Sequence, residues 1–318
     1  MLRKIIYICL LIFLWMFSGS YVMLYPENDE EFLARYGWTI ANKLNEQQMT
    51  LPESFENLPG EFPIEIYWAY NNELSKAIGL DMEPYLGKNV TAVLYKLNEG
   101  LPEFLYPSKN SRSVIIKNGK NIIGAWICKG RHNGFACTLD RRSLADIGAP
   151  ELHVPNETLH QSWKEWLLEK GIVNPDNDLE KKLAKMSPVQ IIETYYNAID
   201  EKDYKLAYAC RTRRNLVNFI FTNMDNSQFF NNSFSEAYDD GIENIESVEI
   251  TRIKPFTAED SISPDFTISP GTVIYTVSYN IQYKRDLTSY SGLGGRIIVL
   301  VKEIESLGWR MLEFNTGM

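Results

Sequence analysis

The chain predicts an α+β fold: an N-terminal membrane segment, a small α+β domain with antiparallel strands, and a last domain of three helices on a curved antiparallel sheet. Three observations carry this. Residues 5–17 form an unbroken apolar run behind Arg3 and Lys4. Asn118-Gly119 sits between two apolar runs, the strongest short hairpin signal. Beyond residue 187 the apolar period changes from 3.6 to 2, from helices to a half-wetted sheet.

Composition narrows the functional classes. The 318 residues suit two domains of ordinary size. With 45% hydrophobic and 23% charged residues, extended disorder and collagen-like repeats are excluded. The net charge is −9, and without the first 20 residues 30 bases face 41 acids, or −11. So acidic a body is repelled by phosphate backbones and anionic headgroups, which disfavours nucleic acid as a partner. Three histidines and four cysteines leave little material for metal or thiol chemistry, so no cofactor and no metal are expected.

The first segment is an address. Cleavage after Ser20 fits a small-x-small signal-peptide site. Read through to Tyr25, the segment is 21 residues, about 32 Å as a helix, enough to span a bilayer. Both readings, signal peptide or transmembrane anchor over residues 1–25, place the remainder outside the cell membrane, either single-pass or secreted. Cys9 falls inside the apolar run as filler.

Residues 27–150 form the first domain. A short helix is expected over 30–38, a polar loop over 42–60, and an amphipathic helix over 62–79 with Ile66, Tyr70, Leu74, Ala77 and Ile78 at helical spacing. Strands follow over 89–97, 113–117, 120–128 and 135–139. Residues 151–186 read as a helical connector, with Leu159, Trp163, Trp166 and Leu167 on one face of its first helix.

Residues 187–318 form the last domain. Ser187, Pro188 and Gln190 spell a capping box with proline at the first helical position. Ile192, Tyr195, Tyr196 and Ile199 supply a core-facing stripe behind it. Asp203 and Thr212 open two more helices. In residues 272–284, Val273, Tyr275, Val277, Tyr279, Ile281 and Tyr283 alternate with polar neighbours. Thirteen residues extend about 43 Å, so this strand must curve. Residues 296–303, apolar on both faces, read as a central strand, and residues 247–253 and 309–314 complete four. Gly292-Leu293-Gly294-Gly295 reads as a hairpin turn.

Three helices followed by a long curved sheet resemble the cone fold of nuclear-transport-factor-two-like and ketosteroid-isomerase-like domains. The opening at 187–204 and the closing Gly308-Trp309-Arg310-Met311 carry the likeness. The whole chain is similar to exported, membrane-attached or lipoprotein-like proteins of Gram-positive bacteria with no assigned function. The matching stretches are residues 32–38 (FLARYGW), 79–85 (GLDMEPY), 124–133 (GAWICKGRHN) and 163–167 (WKEWL). That resemblance implies an architecture and a location and brings no catalytic residues. Lipoprotein-like members carry a cysteine after the signal, and none follows Ser20 here.

Candidate sites follow. The concave face of the cone is the expected pocket, lined by Tyr195, Tyr208, Tyr275, Tyr279 and Trp309; the same aromatics at these periods also suit plain core packing. Arg131 and His132, in the Lys129–Gly134 loop, present cations to an anionic ligand or simply decorate a solvated turn. Cys128 and Cys137 flank that loop on neighbouring strands and are either disulfide-bonded or buried thiols. His153 and His160 are too widely spaced for a metal pair. Glu193, Asp200 and Asp203 are expected to point to solvent, leaving the pocket without an acid or base. The expected function is a non-enzymatic extracytoplasmic binding or interaction protein, whose partner is a cell-surface protein or a small molecule; the alternative is a hydrolase or isomerase working in the cone pocket.

Overall fold

The computed structural model describes residues 28–102, 111–129, 135–150, 161–217, 241–257, 270–285 and 290–316. The expected membrane segment over residues 1–25, and Arg131, His132, His153 and His160, lie outside them. Among the described residues no helix is long and apolar enough to cross a membrane. The architecture is mixed α+β, built on two antiparallel sheets.

The first sheet runs β1 (Ile40–Thr50), β2 (Asn89–Leu97), β3 (Ser111–Asn118), β4 (Asn121–Lys129) and β5 (Phe135–Cys137), each beside its neighbour in sequence. Helix α1 (Asp29–Ala34) precedes it, capped by the Asn28 side chain. Helix α2 (Ile64–Lys76) crosses one face and buries Ile66, Tyr67, Trp68, Tyr70 and Leu74. Its buried polar side chains are satisfied. Ser75 Oγ donates to Asn71 O at 2.8 Å and accepts from Ala125 N of β4 at 3.1 Å. The β3–β4 hairpin closes by pairing Asn118 with Asn121, leaving a two-residue loop in which Gly119 takes φ +61°.

Strand β1 corrects the expected loop over 42–60. Residues 40–50 pair along the length of β2 with two register shifts. The sequence hides this strand because it is an edge. Most of its side chains face water, so its polar residues break no rule and leave no period. Gln48 Nε2 reaches Thr91 Oγ1 and Thr50 Oγ1 reaches Asn89 Oδ1, both at 2.7 Å, so polar cross-strand pairs hold what apolar ones would hold elsewhere.

Helix α3 (Gln161–Glu169) and α4 (Asp178–Ala184) lie between the sheets in sequence. Trp163, Trp166 and Leu167 of α3 join the core beneath the first sheet, while Leu183 of α4 joins that of the second. Helix α5 (Pro188–Asp200) opens with the expected reciprocal cap: Ser187 accepts from Gln190 N, and the Gln190 side chain accepts from Ser187 N. Asp203 caps α6 (Tyr204–Ala209), and Thr212 Oγ1 accepts from Asn215 N at the start of a helix described over 213–217.

The second sheet is a meander of β6 (Ile245–Pro255), β7 (Thr272–Tyr283), β8 (Gly292–Val301) and β9 (Arg310–Thr316). Helix α5 packs on one face of it. There Val277, Tyr279 and Ile281 of β7 are buried, whereas Asn280 and Gln282 are exposed, as the alternation predicts. Residues 292–295 are not a turn. They are the first four residues of β8, paired with Ser278 to Ile281. Their glycines make room: a Cβ on Gly294 would stand 2.8 Å from Cε2 of the Tyr279 ring.

The seam between the halves is buried and charged. Glu180 of α4 is fully buried between Arg213 and Arg310. Arg310 Nη2 donates to Glu180 Oε2 at 2.6 Å, and its Nη1 donates to Leu307 O and Trp309 O. The buried Glu303 carboxylate accepts from Trp163 Nε1 of α3 at 3.0 Å and from the amides of Arg213 and Arg214 at 2.8 and 3.0 Å. It thereby caps the 213–217 helix and pins α3 to it. Val301, Ile304, Leu307 and Leu312 of the last domain belong to the core beneath the first sheet. Gly60 lies so close to α6 that a Cβ would stand 2.0 Å from Lys205 O.

Candidate functional site

The site grows from period-two geometry in β8. Ile298 and Leu300 face α5 and are fully buried, so Arg296 is projected toward the same side. Its Nε donates to the Tyr279 hydroxyl at 3.2 Å. Tyr279 packs against Tyr196 of α5 at 5.6 Å between ring centroids, and Tyr196 meets Tyr195 edge-on at 5.1 Å. Arg211, just beyond α6, is close enough to Tyr195 for the two to act on each other electrostatically. Its Nε donates to Asn215 Oδ1, and its guanidinium lies 5.7 Å from the Tyr208 ring centroid. The Tyr208 hydroxyl donates to Glu243 Oε1 at 2.8 Å, and Glu243 Oε2 is buried with no hydrogen-bond partner among the described residues.

Electrostatics tie these groups together. Burial lowers the pKa of Arg211, and the Arg296 charge lowers it further, while Tyr195, Tyr208 and Glu243 oppose that. Both guanidiniums remain charged at any physiological pH. Burial opposes the Arg296 charge as well, yet the phenols of Tyr279, Tyr196 and Tyr195 outweigh it and raise its pKa. Burial raises Tyr195 and takes Tyr196 well above the ordinary phenol range, so both keep their protons. The arrangement is a ring-lined wall carrying two cations and one carboxylate. It is equipped to orient an anion, while the phenols of Tyr195 and Tyr196, held protonated by burial, are not available as bases.

Of the five expected lining residues, Tyr195, Tyr208 and Tyr279 enter this cluster. Tyr275 and Trp309 pack partly buried against the same core but outside those ring pairs, Trp309 with Lys302 Nζ 5.4 Å from its ring centroid. Arg211, Arg296 and Glu243 escape a search for aromatic lining. The readable signal was an arginine at an inward position of an apolar strand.

The remaining candidates resolve simply. Cys128 and Cys137 do sit on adjacent strands, but no disulfide joins them. Cys128 pairs with Phe135, and Cys137 with Ile127, so the two cysteines are offset in register and both are buried thiols. Burial pushes the Cys137 and Cys210 thiols up to about 12, far from thiolate chemistry at neutral pH. Glu193, Asp200 and Asp203 are exposed, as expected. Asp200 Oδ1 accepts from Val248 N of edge strand β6 at 3.0 Å. A cleft of about 640 Å³ along that edge is lined by Glu193, Asp200 and Glu249 among others. Among the described residues no group of histidine, cysteine and carboxylate side chains is arranged to hold a metal.

Fold and site together define an α+β protein of two antiparallel-sheet units, one of which carries an arginine–tyrosine face. Residues 32–127 match the family DUF4830, and residues 189–314 match DUF4829, each described as a domain of unknown function. No curated protein matches the chain. Among solved structures it is similar to a cystatin-like protein from Ruminococcus gnavus ATCC 29149, at 12% identity and a TM-score of 0.25. That alignment covers 86% of this chain and 65% of the other, so the chain spans about two thirds of that protein's length.

Proposed function

We propose that this chain is an extracytoplasmic, non-enzymatic binding protein of the Gram-positive cell surface, held at the membrane by residues 1–25 or released by their cleavage. Its second sheet and helices form a nuclear-transport-factor-two-like cone, and the inner face of that cone takes a small-molecule ligand. The observation that supports this is Arg296: a cation projected toward a tyrosine-lined interior, with a single phenol as its hydrogen-bond partner among the described residues. The basic start and apolar run of residues 1–17 support the location. The high thiol and phenol pKa values argue against covalent or general-base chemistry at these groups.

A thermal-shift screen of small molecules against residues 26–318 tests the binding reading. Stabilising hits that vanish in Tyr279→Ala support it, and hits indifferent to that change move the site elsewhere. Fractionation with and without residues 1–25 tests the location, and a full-length protein confined to the cytosol would refute it. The second reading, a hydrolase or isomerase, is favoured by one group, the orphaned Glu243 Oε2. Turnover of any hit that Glu243→Gln abolishes without loss of binding would establish it.

A further inference from the structure

We propose that the ligand of this inner face is a monoanionic organic carboxylate, gripped by Arg296. This rests on the reading of the face as a ligand site and adds the chemical class. Arg296 spends its Nε on Tyr279, and its two terminal nitrogens make no hydrogen bond to a described residue. Nor are those nitrogens among the polar atoms sealed from solvent without a partner. They are therefore not wholly sealed from solvent, and they form the edge of a planar fork that matches the two oxygens of a carboxylate. The Tyr279 hydrogen bond fixes the plane of that fork, so little rotational freedom is lost on binding.

Charge selects between oxyanions. Arg211 and Arg296 bring two positive charges, and the Glu243 carboxylate, close enough to act on Arg211, removes one. Among the charged groups that act on the two guanidiniums, these three leave one net positive charge. A carboxylate neutralises it. A phosphate monoester dianion leaves one negative charge uncompensated beside buried rings, which is costly. The surroundings are aromatic: Tyr195, Tyr196 and Tyr279 pack ring against ring in the core beside the cation, and such a largely apolar setting suits a carboxylate on an unsaturated or aromatic body.

The test is a calorimetric titration of the full-length protein with benzoate, phenyl phosphate and benzamide, three probes of similar body and different head. Benzoate is expected to bind, to weaken by about tenfold or more in Arg296→Gln, and to weaken as salt is raised. Arg296→Lys, which keeps the charge and loses the fork, is expected to fall between. Benzamide is expected not to bind. Phenyl phosphate binding more tightly than benzoate would overturn the carboxylate assignment in favour of a phosphate. Benzamide and benzoate binding alike, with Arg296→Gln indifferent, would overturn anion recognition while leaving the cone as a ligand site. No binding of any probe, with a lower melting temperature in Arg296→Gln, would overturn both and make Arg296 a structural residue. Should Arg296→Gln fail to fold, Arg296→Lys and the salt series decide alone: benzoate affinity unmoved by either refutes the proposal.

Discussion

At Gly294 the missing side chain is a packing requirement. The Tyr279 ring lies where a Cβ would be, 2.8 Å from its Cε2, and that ring positions Arg296. Gly294→Ala is expected to cost about 1–3 kcal/mol in urea unfolding and to weaken any ligand that depends on Arg296. A glycine run therefore had two readings in the sequence, a turn or a cross-strand cushion for an aromatic, and only knowing which ring stood opposite separates them. Glu65 makes a different residue-scale prediction. Burial pushes its carboxyl from the ordinary 4.5 up to about 7, against a hydrogen bond from Asn57 Nδ2. Between those values the folded chain holds a proton that the unfolded chain releases. Stability from this residue therefore falls as pH rises through that window, and the loss is complete above about 7. Glu65→Gln should flatten the dependence and be the more stable protein at about pH 8, with little difference at about pH 4. Urea midpoints at the two pH values check this, and a wild type more stable at the higher value would contradict it.

At the scale of elements, legibility followed how locally each element is specified. The capping box at Ser187 is written in four consecutive residues and was readable outright. Ser187→Ala should remove about 1 kcal/mol, seen as a lower urea midpoint with unchanged slope. The alternation of β7 was readable for the same reason, since one face of it packs under α5. Strand β1 was not, because its specification comes from its partner. It borrows a hydrogen-bonded edge from β2 and keeps polar side chains in water. In hydrogen exchange its amides should lose protection before those of β2 and β3, which are paired on both sides. The arginine–tyrosine face was half legible. Its tyrosines follow from periodicity, but Arg211 reaches it from beyond a helix end, at a place no strand or helix period predicts.

At the scale of the molecule, two regions with separate family matches share their buried surface. Glu303 of the last domain holds Trp163, 140 positions away, and Val301, Ile304, Leu307 and Leu312 lie in the core beneath the first sheet. Such long-range pairs leave no local trace, which is why the sequence showed a connector over 151–186 and not a seam. The chain should melt in one calorimetric transition. Glu303→Ala, which strands an indole and two helix-start amides, should cost about 3–5 kcal/mol and lower the stability of both halves together. Two well-separated transitions would refute the shared core. Residues 187–318 expressed alone should bind a hydrophobic dye or precipitate, because Val301, Ile304 and Leu307 lose their cover.

The Glu180 carboxylate also constrains ancestry. It belongs to neither matched region, since it lies between residues 127 and 189, yet it is ion-paired with two guanidiniums that the second region supplies, Arg213 and Arg310. A gene rearrangement that moved only the matched second region to a new host would carry both arginines inward and leave their counter-charge behind. Natural shuffling or laboratory chimaeras that keep this ion pairing must therefore cut upstream of residue 178.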